Sequence, residues 1–169
     1  NLDLPAVQNQ LIEKLVGVNK NVVVVLHNGS PVAMPWIDRV KGVLECYLGG
    51  ENVGSAQINL LFGKANPCGK LAETFPVKIE DTPCFMNFPG NGRETIYSEG
   101  IFVGYRWYDC RKMPVLFPFG FGLSYTTFEY EKIELSANKI KDVDGVDVFV
   151  TVKNTGKIDG KEIIQLYVA

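Results

Sequence analysis

The run VVVVL at 22–26 contains no polar position, so a strand made from it has no face suited to water. Strands of that kind belong to parallel sheets covered by helices on both sides, and this limits the chain more than any other feature. A second apolar run, VLECYL at 43–48, stops at Gly49-Gly50. Helical patterns surround both runs. Residues 5–16 carry Val7, Leu11, Ile12, Leu15 and Val16 at three- and four-residue spacing, with Asp3 as N-cap, Pro5 in the first turn and Gly17 as the stop. A short helix is expected over 35–40, and 51–62 repeats the pattern through Val53, Ala56, Leu60 and Leu61. Helix, strand, helix, strand, helix with short connections predicts right-handed crossovers on a parallel sheet. Residues 1–65 therefore read as half of a doubly wound α/β domain.

From 64 to 118 the texture changes. Pro67, Gly69, Pro76, Pro83, Pro89, Gly90, Gly92 and Gly100 interrupt every periodic stretch, leaving strand-like pieces at 71–75 and 101–108. Tyr97, Phe102, Tyr105, Trp107 and Tyr108 are too dense for a free linker, so this is an ordered covering region. After Ser124 the period becomes two: strands are expected at 128–135, 146–152 and 163–168, with a turn at Asn154-Thr155-Gly156. Three such strands suit an immunoglobulin-like sandwich, which needs about seven to close.

Composition excludes several functions. Hydrophobic residues are 46% and charged residues 21%, values that call for a packed core and not for disorder. The formal net charge of -2 and the scatter of Lys and Arg give no stripe for a phosphate backbone, so no nucleic-acid partner is expected. The longest apolar runs fall far short of the ~20 residues of a spanning helix, so no membrane span is expected. Cys46, Cys68, Cys84 and Cys110 are widely spaced and His27 is the one histidine, which argues against a structural metal site. Unclustered cysteines favour a bacterial cytoplasm over secretion, although Asn28-Gly29-Ser30 would match a glycosylation acceptor in a secreted protein.

Six segments, in order, resemble glycoside hydrolase family 3, which includes many β-glucosidases and β-xylosidases: NLDLPAVQNQLI, VVVVLHNGSPVAMPW, GGENVGSAQINLLFGKANPCGKLAETFP, YSEGIFVGYRWYD, FPFGFGLSYTTFEY and VKNTGKIDGKEIIQLYV. The resemblance implies a barrel domain, then an α/β sandwich, then a fibronectin type III-like β-sandwich. On that mapping residues 1–117 are the later part of the α/β sandwich domain with its connecting segment. Residues 118–124 form the junction, and 125–169 the start of the fibronectin-like domain.

The resemblance also implies the chemistry, a retaining β-glycosidase acting on a β-linked oligosaccharide or an aryl or alkyl glycoside. Retaining hydrolysis needs two carboxyl groups about 5–5.5 Å apart. In this family the nucleophile is an Asp of the barrel, and the acid/base a Glu placed before an Asp-Arg that precedes the NLDLP start. Both are expected upstream of Asn1, so the chain is expected to supply scaffold and pocket wall, with no cofactor and with the remainder of the same polypeptide as its partner. A non-catalytic carbohydrate-binding or structural module is the alternative.

Three residues are candidates for the sugar pocket. His27 ends the first strand at the carboxyl edge of the sheet, where doubly wound folds bind ligands, but a lone histidine with no nucleophile motif beside it is more often structural. Glu51 follows the second strand and begins a helix, where its charge also suits the helix dipole. Glu99 stands beside Gly100 in YSEG, too far downstream to be the family's acid/base, and is expected to pair with Arg93 or Arg106 or to bond backbone. GGENVG is neither G-x-G-x-x-G nor a Walker loop, so a nucleotide-binding reading has no phosphate cradle. The aromatics of YSEGIFVGYRWYD and FPFGFGLSYTTF suit either a sugar-stacking wall or a domain joint.

Overall fold

The computed structural model describes residues 2–168. They divide into two compact units, one running up to Gln57 and again over Lys70–Phe121, the other over Ile58–Gly69 and from Gly122 onward.

In the first unit, helix α1 (Ala6–Val18) precedes strand β1 (Val23–Leu26), and strand β2 (Gly42–Glu45) lies parallel to β1 with Val23 opposite Gly42 and Leu26 opposite Glu45. The all-apolar run thus becomes a parallel strand, as its composition dictates. Cys46 N donates to Leu26 O at 3.0 Å and carries the pairing one step past the strand ends. Pro5 occupies the N-cap of α1 with no side-chain cap, so Asp3 does not play that part, and the helix runs through Gly17 to Val18. The expected helix over 35–40 is a single 3-10 turn, Ile37–Arg39, whose Arg39 pairs with Glu13 of α1. Ile12, Leu26, Val32, Met34, Trp36 and Phe75 form the core, and Trp36 is fully buried with its indole N–H donated to Asn9 Oδ1 at 2.9 Å.

Helix α2 (Val53–Leu61) follows β2 across a short turn. Strand β3 (Phe75–Pro76) pairs antiparallel with strand β4 (Val115–Phe117). The strand-like reading of 71–75 is realised only at its end, although Leu71 N donates to Phe121 O and Gly120 N to Leu71 O, each at 2.8 Å. The strand expected over 101–108 is a correction. Gly104 takes φ +62°, a backbone that only glycine adopts without strain, and there the chain turns into helix α3 (Tyr105–Arg111). Its aromatics then fall at helical spacing: Tyr108 is buried, Tyr105 stacks on Phe119 at 5.2 Å between ring centroids, and the Trp107 indole donates to Asp81 O at 3.1 Å.

In the second unit, strand β5 (Phe128–Leu135) pairs antiparallel with strand β6 (Val148–Asn154). A bulge between Tyr130 and Lys132 inserts one residue. That insertion decides the faces: Phe128, Tyr130, Ile133 and Leu135 lie opposite Asn154, Val152, Val150 and Val148, so the apolar residues stay on one side. Without it Ile133 and Leu135 would point with Glu129. The third strand expected over 163–168 does not form among the described residues. Residues 161–168 carry no regular secondary structure, and next to them Tyr130 Oη donates to Glu162 Oε1 at 3.0 Å.

Candidate functional site

Parallel pairing puts the carboxyl ends of β1 and β2 side by side, the edge at which α/β sheets hold ligands. His27 and Asn28 leave one strand and Cys46 and Tyr47 the other. Tyr47 has φ +45°, the left-handed region that non-glycine residues rarely enter, and the turn is held by its own N–H donating to Glu45 Oε1 at 2.8 Å. Such outliers cluster at functional sites, because the surroundings must hold them there. Asn28 Nδ2 donates to Ser30 O at 2.8 Å. Gln57 of α2 completes the edge: its amide N–H meets His27 Nε2 at 2.5 Å, so that ring nitrogen accepts.

Three side-chain oxygens at this edge are buried without a hydrogen-bond partner, Asn28 Oδ1, Glu45 Oε2 and the Tyr47 hydroxyl, and no others of the kind occur among the described residues. The Tyr47 hydroxyl lies beside Glu73, and the interaction of the two side chains lowers Glu73 and raises Tyr47. Burial is the main cause that raises the Glu45 carboxyl above the usual range, against the opposing pull of the Tyr47 N–H, the Asn28 amide and His27. Burial also raises Glu73, with the Glu45 charge adding to it, and raises the Cys46 thiol. Tyr47 is pushed up to about 12 by burial first and then by the charges of Glu73 and Glu45.

Glu73 also lines a cavity of about 370 Å³ in the first unit, with Thr74, Cys84, Tyr105, Tyr108 and Phe119 among its walls. Tyr108 rises to about 12, through burial first and then the nearby Asp81 and Cys84. A tyrosine whose folded pKa lies above its unfolded value of 10 keeps its proton while the unfolded chain loses one. Stability is therefore expected to fall as pH rises from about 10 towards 12. Absorbance at 295 nm should show late-titrating phenols, one of them lost in Tyr47→Phe and another in Tyr108→Phe. A single phase near 10 in the folded protein would contradict this.

Of the three residues singled out in the sequence, the structure places His27 at this edge. Glu51 is exposed in the turn two positions before α2 begins, and Glu99 sits in the turn before α3, where its carbonyl accepts from Phe102 N at 3.0 Å. Glu99 forms no ion pair with Arg93 or Arg106 among the described residues, and the structure does not bring Glu51 or Glu99 into the cluster. Glu45, Tyr47 and Glu73 escaped notice, although a lone carboxylate inside VLECYL is a signal, since buried charges need partners. All four cysteines are free, and among the described residues no three His, Cys, Asp or Glu side chains are grouped to hold a metal. No helix among them is long and apolar enough to cross a membrane.

The family model for the glycosyl hydrolase family 3 C-terminal domain matches residues 1–105, and the chain belongs to that family. It is 55% identical to thermostable beta-glucosidase B of Acetivibrio thermocellus over 168 residues, covering 99% of this chain and 22% of that protein. To beta-glucosidase BoGH3A of Bacteroides ovatus it is 47% identical, covering 98% and 23%. Among solved structures, the GH3 beta-glucosidase of Bifidobacterium adolescentis superposes with a TM-score of 0.85 at 44% identity, over 92% of this chain and 23% of that one. DesR, a beta-glucosidase from Streptomyces venezuelae in complex with D-glucose, superposes with a TM-score of 0.86 at 39% identity, over 93% and 20%. The chain thus spans about a fifth to a quarter of the length of these relatives.

Proposed function

We propose that this chain is part of a retaining β-glucosidase that removes terminal β-linked sugars, and that it supplies scaffold and pocket wall while the catalytic carboxylates lie elsewhere in the polypeptide. The observation that carries the reading is likeness to β-glucosidases along 98–99% of the chain. His27 is the pocket-wall candidate best supported by position, whereas Glu51 is exposed in the turn before α2 and Glu99 lies in the turn before α3. We place the two-stranded parallel sheet within a larger doubly wound layer and the β5–β6 hairpin within a larger sandwich. Four free thiols favour a reducing compartment.

The test is an assay of the 169-residue chain, purified free of host glycosidase, on p-nitrophenyl β-D-glucoside and β-D-xyloside. No release above the buffer rate is expected from the chain, whereas the complete enzyme cleaves the glucoside in preference to the xyloside. Turnover by the chain alone would overturn the assignment of the catalytic groups. Titration with cello-oligosaccharides, read by Trp107 fluorescence, separates the binding-module alternative, which alone expects a saturable change.

A further inference from the structure

Every residue from Cys84 to Gly104 is exposed except Asn87 and Glu99, which are partly buried, yet the stretch keeps a shape of its own. Its two limbs are tied at successive rungs: Asn87 Nδ2 donates to Ser98 Oγ at 2.6 Å, Thr95 Oγ1 to Pro89 O at 3.1 Å, and Asn91 N to Glu94 O at 3.3 Å. At the tip Asn91 Oδ1 accepts from Arg93 N and Glu94 N at 3.0 and 3.1 Å. Gly90 lets the limbs close, since its φ is +94° and a Cβ there would stand 2.4 Å from Glu94 O. These bonds define an arm rooted at both ends in the first unit, where Cys84 and Gly104 line the same cavity. Its side chains do not suit water. Met86 is 85% exposed, Phe88 71%, Ile96 60%, Tyr97 81% and Ile101 75%, whereas the charges Arg93 and Glu94 are confined to the tip. A soluble protein rarely leaves an ordered apolar surface of this kind open, so it marks a contact.

We propose that residues 85–103 form a docking arm, and that an apolar surface of the same polypeptide outside these 169 residues covers it. The inference rests on the reading of this chain as one part of a longer β-glucosidase. The chain spans 22% and 23% of the length of two such relatives, which leaves most of the polypeptide to supply the cover. A surface in the same polypeptide meets the arm at an effective concentration on the order of millimolar, whereas a second molecule must give up its free translation and rotation to do so. The tethered cover therefore prevails over a second copy.

Chymotrypsin reads the arm at the Tyr97–Ser98 bond, with the peptide of residues 84–104 as the uncovered reference. Proteolysis follows the fraction of time a site stands open, so cleavage in the complete polypeptide should be slower than in the peptide by about a hundredfold or more. In the 169-residue chain it should stay within about tenfold of the peptide, the rungs giving what protection there is, while Trp36–Ile37 in the core remains intact. The double variant Phe88→Ser with Ile96→Ser removes apolar contacts, touches no rung and leaves Tyr97 in place. It should speed cleavage of the complete polypeptide by about tenfold. If that variant fails to fold, the unaltered polypeptide and the peptide still decide the matter. Cleavage of the complete polypeptide at the peptide's rate, full protection already present in the 169-residue chain, or a folded double variant as resistant as the unaltered protein would each overturn the arm. Protection that fades on dilution would overturn it too, by assigning the cover to a second copy. Turnover by the 169-residue chain would unseat the catalytic assignment without uncovering the arm, and an uncovered arm leaves the hydrolysis assay as it stands, so the two readings fail separately.

Discussion

Trp36→Ala is expected to lower the stability of the first unit by about 3–5 kcal/mol, the usual cost of deleting a buried large aromatic. Trp36 is 0% exposed and packs in the core formed with Ile12, Leu26, Val32, Met34 and Phe75. Truncation removes those contacts and leaves a cavity that the β1 strand and the 3-10 turn are ill placed to fill. It also strips Asn9 Oδ1 of the indole N–H it accepts at 2.9 Å. Since small domains hold only about 5–15 kcal/mol, such a loss takes a large share of the total. Trp36→Phe separates the two contributions: it keeps most of the volume but not the N–H, so its cost should be nearer the ~1–3 kcal/mol of one orphaned polar group. Urea unfolding followed by far-UV circular dichroism measures both. A loss below about 1 kcal/mol in Trp36→Ala, with an unchanged denaturant slope, would show that the core does not depend on this ring. The effect reaches the candidate site, because Leu26 and Tyr47, which flank the carboxyl edge, pack on the same cluster.

Why some of this was visible in the sequence and some not follows from the range of the forces involved. VVVVL at 22–26 is legible because β-branching and full apolarity are properties of the residues themselves, and the observed β1 and β2 fall where such runs stand. The segment at 101–108 carries the same kind of signal, dense apolar and aromatic residues, yet becomes loop and helix. There the deciding event is one glycine, Gly104, at φ +62°, together with contacts from Tyr105 and Trp107 to Phe119 and Asp81 that periodicity cannot register. The stretch at 163–168 alternates well enough for a strand, but a strand exists only through its partner, and β5 and β6 pair with one another instead.

The candidate site shows the same limit more sharply. His27 stood out as a chemically distinctive residue at a strand end, whereas the cluster depends on Glu45, Tyr47, Gln57 and Glu73, which only the fold brings to one edge. Tyr47 carries no hint of its left-handed backbone, since that conformation is imposed by the Glu45 side chain gripping its N–H. Glu51, a candidate because it follows β2 at the carboxyl edge, lies exposed in the turn before α2, where the helix dipole acts on any nearby charge and selects no ligand.

Asn66→Ala is expected to destabilise the second unit by about 2–3 kcal/mol, for a reason visible only in three dimensions. Asn66 Oδ1 accepts from Ser124 Oγ at 2.9 Å and from Tyr125 N at 2.8 Å, while its Nδ2 donates to the Asp159 carbonyl at 3.1 Å. One side chain thus fastens the 58–69 segment to the start of the β5–β6 hairpin and to the chain that leaves it. Tyr125 reinforces the join by donating its hydroxyl to Leu60 O at 2.8 Å. Alanine removes all three bonds of Asn66; part of the loss returns from water, because Tyr125 is half exposed, and this keeps the expected cost below three full orphaned groups. Asn66→Asp should cost less than alanine: the carboxylate still accepts from Ser124 and Tyr125 and loses only the donor, at the expense of facing the Asp159 carbonyl. Gly160 attacks the same join by another route. A Cβ there would stand 2.9 Å from Asn66 Nδ2 and 2.7 Å from Thr126 Cγ2, so Gly160→Ala forces the Asn66 amide or Thr126 to move. Exchange of the Tyr125 amide with deuterium reads the join directly. Protection should fall most in Asn66→Ala and less in Asn66→Asp; equal protection in all three proteins would mean that the hairpin is held without Asn66.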